Sequence, residues 1–173
     1  MIFLIIETVA ILLVIAFCKK ENFKIPQAKY SNVSLIIPFS IAALTYLSFF
    51  NRLFLFLNFI LIVFTIFYYI KKSSSYLRAF VFTSADKLAV LFVIMNIAGG
   101  IIINTLKIYA QKNIYLSIIL FLTGASLITY SRMGFIALGA EVLKRKKRNE
   151  YLAVLGIFGV FGLLIICMVK PKK

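Results

Sequence analysis

Apolar residues arrive in six long runs, each closed by a short polar break: Ile2 to Cys18, Val33 to Phe50, Leu53 to Ile70, Leu88 to Leu106, Ile114 to Tyr130, and Tyr151 to Val169. Each holds 17 to 19 residues, close to the roughly 20 a helix needs to cross about 30 Å of hydrocarbon. The second and third runs nearly touch. Read as one helix, the 38 residues from Val33 to Ile70 would reach about 57 Å at about 1.5 Å per residue, so a break is required. Ser48, Asn51 and Arg52 are the polar residues near the middle, and they place the turn there. The fifth run is followed by Ser131-Arg132 and a second apolar stretch, Met133 to Leu143. Keeping Arg132 out of mid-bilayer avoids a cost of at least about 2.5 kcal/mol. The fifth helix is therefore expected to run on past Arg132 as an amphipathic extension in the interface. The pattern predicts an all-α integral membrane protein, a bundle of about six transmembrane helices forming one domain over residues 1–173, with no soluble domain.

Composition agrees with that reading. Hydrophobic residues make up 63% of the chain and charged residues 14%, and the mean hydropathy is +1.04. A soluble domain carries about 45–50% apolar residues and about 25% charged ones. The Ile2 run has no basic segment before it and no small-residue cleavage site, so an uncleaved anchor is expected rather than a signal peptide. The chain has no histidine and only two cysteines, Cys18 and Cys167. That removes His-ligated metal and haem sites, Ser-His-Asp and Cys-His catalysis, and a histidine pH switch. No cofactor is expected. Neither is a catalytic role, since GxSxG, HExxH, P-loop and GxGxxG motifs are all absent.

The net charge of +15 comes from 20 Lys and Arg against 5 Asp and Glu. These cations sit between apolar runs rather than along one soluble face. They read as loops facing an anionic leaflet, not as a nucleic-acid surface. Loops after odd-numbered helices hold fourteen of them and the other side, tail included, holds six. The odd loops are thus expected in the cytoplasm and both termini outside it, although the basic tail Lys170-Pro171-Lys172-Lys173 works against that count. Under this topology Cys18 and Cys167 would lie most of a bilayer apart, beyond disulfide reach.

Few residues carry candidate chemistry. Glu7 is the only acid inside an apolar run, and an intramembrane carboxylate is a candidate cation or proton site. Asn96, Gly100 and Asn104 are four apart and share one helix face. The amides suit a polar pathway or interhelical hydrogen bonds, and Gly100 suits helix packing. Gly156, Gly159 and Gly162 recur every three residues as a smooth stripe for another helix. Lys144, Arg145, Lys146, Lys147 and Arg148 form the strongest charge feature. They are read as a topology anchor in contact with anionic lipids of the cytoplasmic leaflet, with Glu141 placed to pair at i,i+3 with Lys144 or at i,i+4 with Arg145. Ser73-Ser74-Ser75 marks the longest flexible linker.

Two functions from different classes fit. One is an accessory or structural subunit of a larger membrane complex, partnered by other membrane subunits. The other is a small transporter or channel with Glu7 and the Asn96/Asn104 face in its pathway. A faint match of Ser34 to Ser48 onto Ser117 to Ser131 hints at a three-plus-three repeat, but apolar segments align too easily for it to carry weight.

Overall fold

A backbone that runs through apolar surroundings must satisfy its own N–H and C=O groups, and a helix does so within one segment. The computed structural model describes residues 2–20, 24–25, 33–80, 84–109 and 113–172, and among them every regular element is helical. In chain order these are α1 (Ile2–Lys20), α2 (Val33–Ser48), α3 (Arg52–Lys71), α4 (Ser73–Leu77), α5 (Ala85–Tyr109) and α6 (Ile114–Arg145). A 3-10 helix, Glu150–Phe158, and α7 (Val160–Met168) follow. Helices spanning Arg52–Lys71, Ala85–Leu106 and Ile114–Arg145 are long and apolar enough to cross a membrane.

The break between α2 and α3 falls at the polar residues. The Asn51 side chain accepts from the Leu53 amide at 2.9 Å and starts α3. The two helices then lie together, with the Asn58 amide donating to Thr45 Oγ1 at 2.9 Å. On α5 and α6, glycines let backbones touch. A Cβ added to Gly99 would sit 2.7 Å from the Gly124 carbonyl oxygen, and one on Gly134 would strike the Phe92 ring. Ser131 Oγ donates to the Phe92 carbonyl at 2.6 Å, locking the register.

α6 runs unbroken for 32 residues, about 48 Å at about 1.5 Å per residue. The expected continuation past Arg132 is present, but it is not a surface segment. Met133 to Glu141 are all buried. The small side chains of Gly134, Ala137, Gly139 and Ala140 let α4, α5, α7 and the 3-10 helix close around it. The core is therefore off-centre. Tyr69, Tyr76, Leu88, Phe92, Phe135, Leu138, Leu143 and Leu163 are fully buried around the second half of α6. At the other end, Leu53, Phe56, Phe59, Ile114, Tyr115 and Ile119 are exposed apolar residues.

The sixth run differs most from expectation. Its length predicts one crossing helix over 151–169, yet the segment folds back on itself. Asn149 caps the 3-10 limb through the Tyr151 amide at 3.0 Å. Gly159 then turns the chain at φ +69°, a conformation that favours glycine, and α7 returns alongside. Gly162 meets the Leu155 carbonyl so closely that no side chain fits, and a Cβ on Gly156 would lie 2.6 Å from the Ile136 amide on α6. The three glycines are thus not a stripe on one helix. Gly156 seats the descending limb, Gly159 makes the turn, and Gly162 lets the limbs close. At roughly 2 Å per residue the nine-residue 3-10 limb reaches only about 18 Å, well short of a hydrocarbon layer of about 30 Å.

This hairpin moves the C-terminus. Lys146 Nζ donates to the Cys167 carbonyl and, at 2.9 Å, to the Val169 carbonyl, while the Lys172 amide donates to the Lys146 carbonyl at 3.0 Å. The tail therefore lies beside the start of the hairpin. Phe17, near the end of α1, lines a cleft with Cys167, so Cys18 and Cys167 belong to the same end of the bundle and not to opposite ends. The start of α1 and Lys172, expected together, lie at opposite ends of the bundle.

Candidate functional site

Four segments distant in sequence meet where the tail returns. Lys24 and Ser84 form an isolated antiparallel backbone bridge. Arg78 Nη2 donates to the Ile25 carbonyl at 2.6 Å, and Arg145 Nη2 to the Lys24 carbonyl at 2.7 Å. Lys71, Lys72, Lys87, Lys170 and Lys172 lie at this same end, which is strongly basic, whereas Arg52 belongs to the turn at the other end.

Beneath it sits a buried carboxylate. Glu141 is 3% exposed. Ser73 Oγ and, at 2.6 Å, Ser74 Oγ donate to its Oε1. Lys144, one turn further along α6, donates to Ser73 Oγ at 2.8 Å and lies 3.5 Å from Glu141 and 3.6 Å from Glu150. The Ser73 stretch is thus no linker. It opens α4, whose Ser73, Tyr76 and Leu77 are buried. The Tyr76 hydroxyl donates to the Tyr130 carbonyl at 2.9 Å. Burial first, then the neighbouring Tyr69 and Tyr130, holds this phenol well above its usual pKa, so it remains a donor.

A serine between a carboxylate and a lysine invites a nucleophilic reading. Burial argues against it: Ser73 is fully enclosed, and a substrate carbonyl has no approach to its oxygen. What the group does instead is join α4, α6 and the start of the 3-10 helix. Buried charges are tolerated when paired and hydrogen-bonded, and Glu141 is both.

The five-cation run divides. Lys144 turns inward to the two glutamates. Arg145 and Lys146 line the cleft beside the tail. Lys147 is exposed in the left-handed turn at φ 52°. Arg148 Nε holds the Lys170 carbonyl at 2.9 Å. Arg132 lies at the far tip of the hairpin, where its Nη1 donates to the Ile157 carbonyl at 3.1 Å.

The structure does not gather the other sequence candidates around this site. Glu7 is on α1, and its side chain lies outside the described residues. On α5, Asn96 is half-buried and Asn104 exposed, next to Ile97 and Ile101, which are 49% and 59% exposed. Gly100 has open space where a Cβ would be, while its neighbour Gly99 is pressed onto Gly124. The intramolecular packing glycine is Gly99. Gly100, expected to pack, faces outward.

No family model, no curated protein and no solved structure matches this chain.

Proposed function

We propose that the chain is a multi-pass membrane protein that works as a subunit of a larger membrane assembly, with the outer face of α5 as its seam. The observation that carries this is the contrast between two adjacent glycines. Gly99 meets α6, whereas Gly100 opens outward, flanked by Asn96 and Asn104 one turn away on each side. An amide left unpaired in an apolar medium costs about 2–7 kcal/mol depending on the reference state. A partner helix lying on Gly100 can approach closely and accept or donate to both amides, a pairing worth about 0.6–2 kcal/mol each in membranes. The Glu141 cluster and the re-entrant hairpin support the same reading, since they fix the fold rather than open a reaction site.

The membrane placement that follows has α1, α2, α3, α5 and α6 crossing and the 150–168 hairpin entering and leaving on one side. The basic end faces the cytoplasm, so the C-terminus is cytoplasmic and the N-terminus is not. The basic tail, at odds with six crossings, then obeys the charge rule. The transport alternative would use Asn96 and Asn104 on the outside of the bundle, so its pathway would run between copies and not through one chain.

Gentle extraction into native nanodiscs followed by mass measurement tests the assembly. A stoichiometric partner is expected, and replacing Asn96 and Asn104 with Leu together, or Gly100 with Ile, is expected to release it while the isolated chain stays folded. A lone monomer in native nanodiscs, unchanged by these substitutions, would remove the basis for the seam.

A further inference from the structure

The exposed residues described on α5 are Lys87, Val90, Ile94, Ile97, Ile101 and Asn104. They follow one another at steps of three, four, three, four and three residues, a mean of about 3.5, the period at which one helix winds about another. Every apolar member is β-branched. On a helix such side chains hold about 90% of one χ1 rotamer, so packing them costs little freedom. α3 differs. It exposes a broad arc of unlike shapes, with Leu55, Phe56 and Leu57 exposed in succession. Helices in a bilayer associate through close packing and interhelical hydrogen bonds, not through expulsion of water. A stiff, regular stripe suits another helix, whereas a broad irregular arc suits lipid.

The polar ends of the stripe select which helix. Asn104 presents a carboxamide, donor and acceptor together. A single Asn in such a stripe sets register by pairing with its own counterpart. At the other end Lys87 lies on the stripe with Asp86 beside it, and among the described residues neither has an ion-pair partner. Loop charges orient every copy of one chain alike in the membrane, so two copies pack with α5 parallel. In register, each Asp86 then comes beside the partner's Lys87, opposite charges on both sides of a two-fold axis. Gly100 borders Ile101 and has open space where a Cβ would be, which leaves room for the approaching side chains. We propose that the partner on the α5 seam is a second copy of this chain, packed in parallel along Val90, Ile94, Ile97, Ile101 and Asn104. This rests on the reading of α5 as a seam and names its occupant.

The test uses the full chain with Cys18 and Cys167 changed to Ala, co-expressed with two tags of different mass and extracted into native nanodiscs. The protein mass is expected at a whole multiple of the chain's own, with both tags in one particle. Ile97→Cys is expected to form a disulfide with its own counterpart under a membrane-permeant oxidant, and Phe56→Cys on α3 is not. Asn104→Leu should weaken association about threefold to fifteenfold, the worth of one such hydrogen bond in a membrane. Asp86→Lys should weaken it by up to about fivefold, and Lys87→Asp added to it should restore it. If a substitution unfolds the chain, the disulfide pattern still decides. A stoichiometric partner of different sequence, with one tag per particle, would overturn the second copy and leave the seam standing. A single copy alone would overturn both. So would a homo-oligomer that cross-links through Phe56→Cys and not through Ile97→Cys.

Discussion

At one end of the bundle side chains reach far across the sequence, Arg78 to the Ile25 carbonyl, Ser73 and Ser74 to Glu141, Arg148 to the Lys170 carbonyl. At the other end, Asn51 and Asn113 bond only amides two or three residues ahead, and Tyr46, Phe49, Phe50 and Phe121 make edge or tilted ring contacts. The first arrangement couples distant segments, so disturbing one group disturbs several. The second caps α3 and α6 locally and brings α2 against α6 through ring contacts. Apolar exposure divides the same way, because the fully buried residues gather around the second half of α6 and the first half stays open. Such a molecule is closed at its basic end and keeps apolar side chains exposed over the remainder.

The sharpest way to break this comparison is to ask which end holds the C-terminus, because the answer is all or none. In a chain with Cys18 and Cys167 changed to Ala, Lys172→Cys is expected to react with a membrane-impermeant maleimide from the same side as Lys71→Cys. Asn113→Cys should react only from the opposite side. Lys172→Cys labelling together with Asn113→Cys would mean that 150–168 crosses and that the hairpin is wrong. Next in size is the buried carboxylate. Glu141→Ala strands two hydroxyls and part of a cation, and breaking a buried pair costs about 3–5 kcal/mol. Lys144 keeps Glu150 at 3.6 Å and is itself partly exposed, so the lower end, about 3 kcal/mol, is expected in unfolding in detergent. Glu141→Gln keeps an acceptor and should cost less. Equal, negligible effects from both would show that α4 needs no anchor on α6.

Much of this was legible in the residues. The all-helical class and the turn at Asn51 followed from apolar run lengths and one polar break. The hairpin is masked in the sequence, because the run from Tyr151 to Val169 has the length of a crossing helix and glycine every third residue suits a smooth face. A better signal was available: glycine costs about 1 kcal/mol in a helix interior, and three within seven residues weaken a continuous helix. The basic tail was a second signal, since it fitted only a C-terminus on the basic side. Gly99 and Gly100 could not be told apart by composition, as which of two neighbours faces α6 depends on a register fixed by Ser131 and Phe92. The Glu141–Lys144 pair was visible as i,i+3 spacing, but its partners Ser73 and Ser74 are 68 and 67 positions away, and nothing local marks that contact.

The smallest expected effect sits at the open end and sharpens the contrast by its locality. Asn113 Oδ1 accepts from the amides of Tyr115 and Leu116 at 3.0 and 3.1 Å. Asn113→Ala removes one cap, worth about 1 kcal/mol. The loss should stay in the first turn of α6, because Asn113, Ile114 and Tyr115 are exposed and bond nothing distant in sequence. Hydrogen exchange is then expected to quicken at residues 114–117 and to remain unchanged at 73–77 and 141–158. For Glu141→Ala the pattern should reverse, with faster exchange across α4, the end of α6 and the 3-10 limb together. If the Asn113 variant loosened the basic end as well, the two ends would be coupled along the length of α6. That helix would then act as a rigid lever between them, not as a spine anchored at one end.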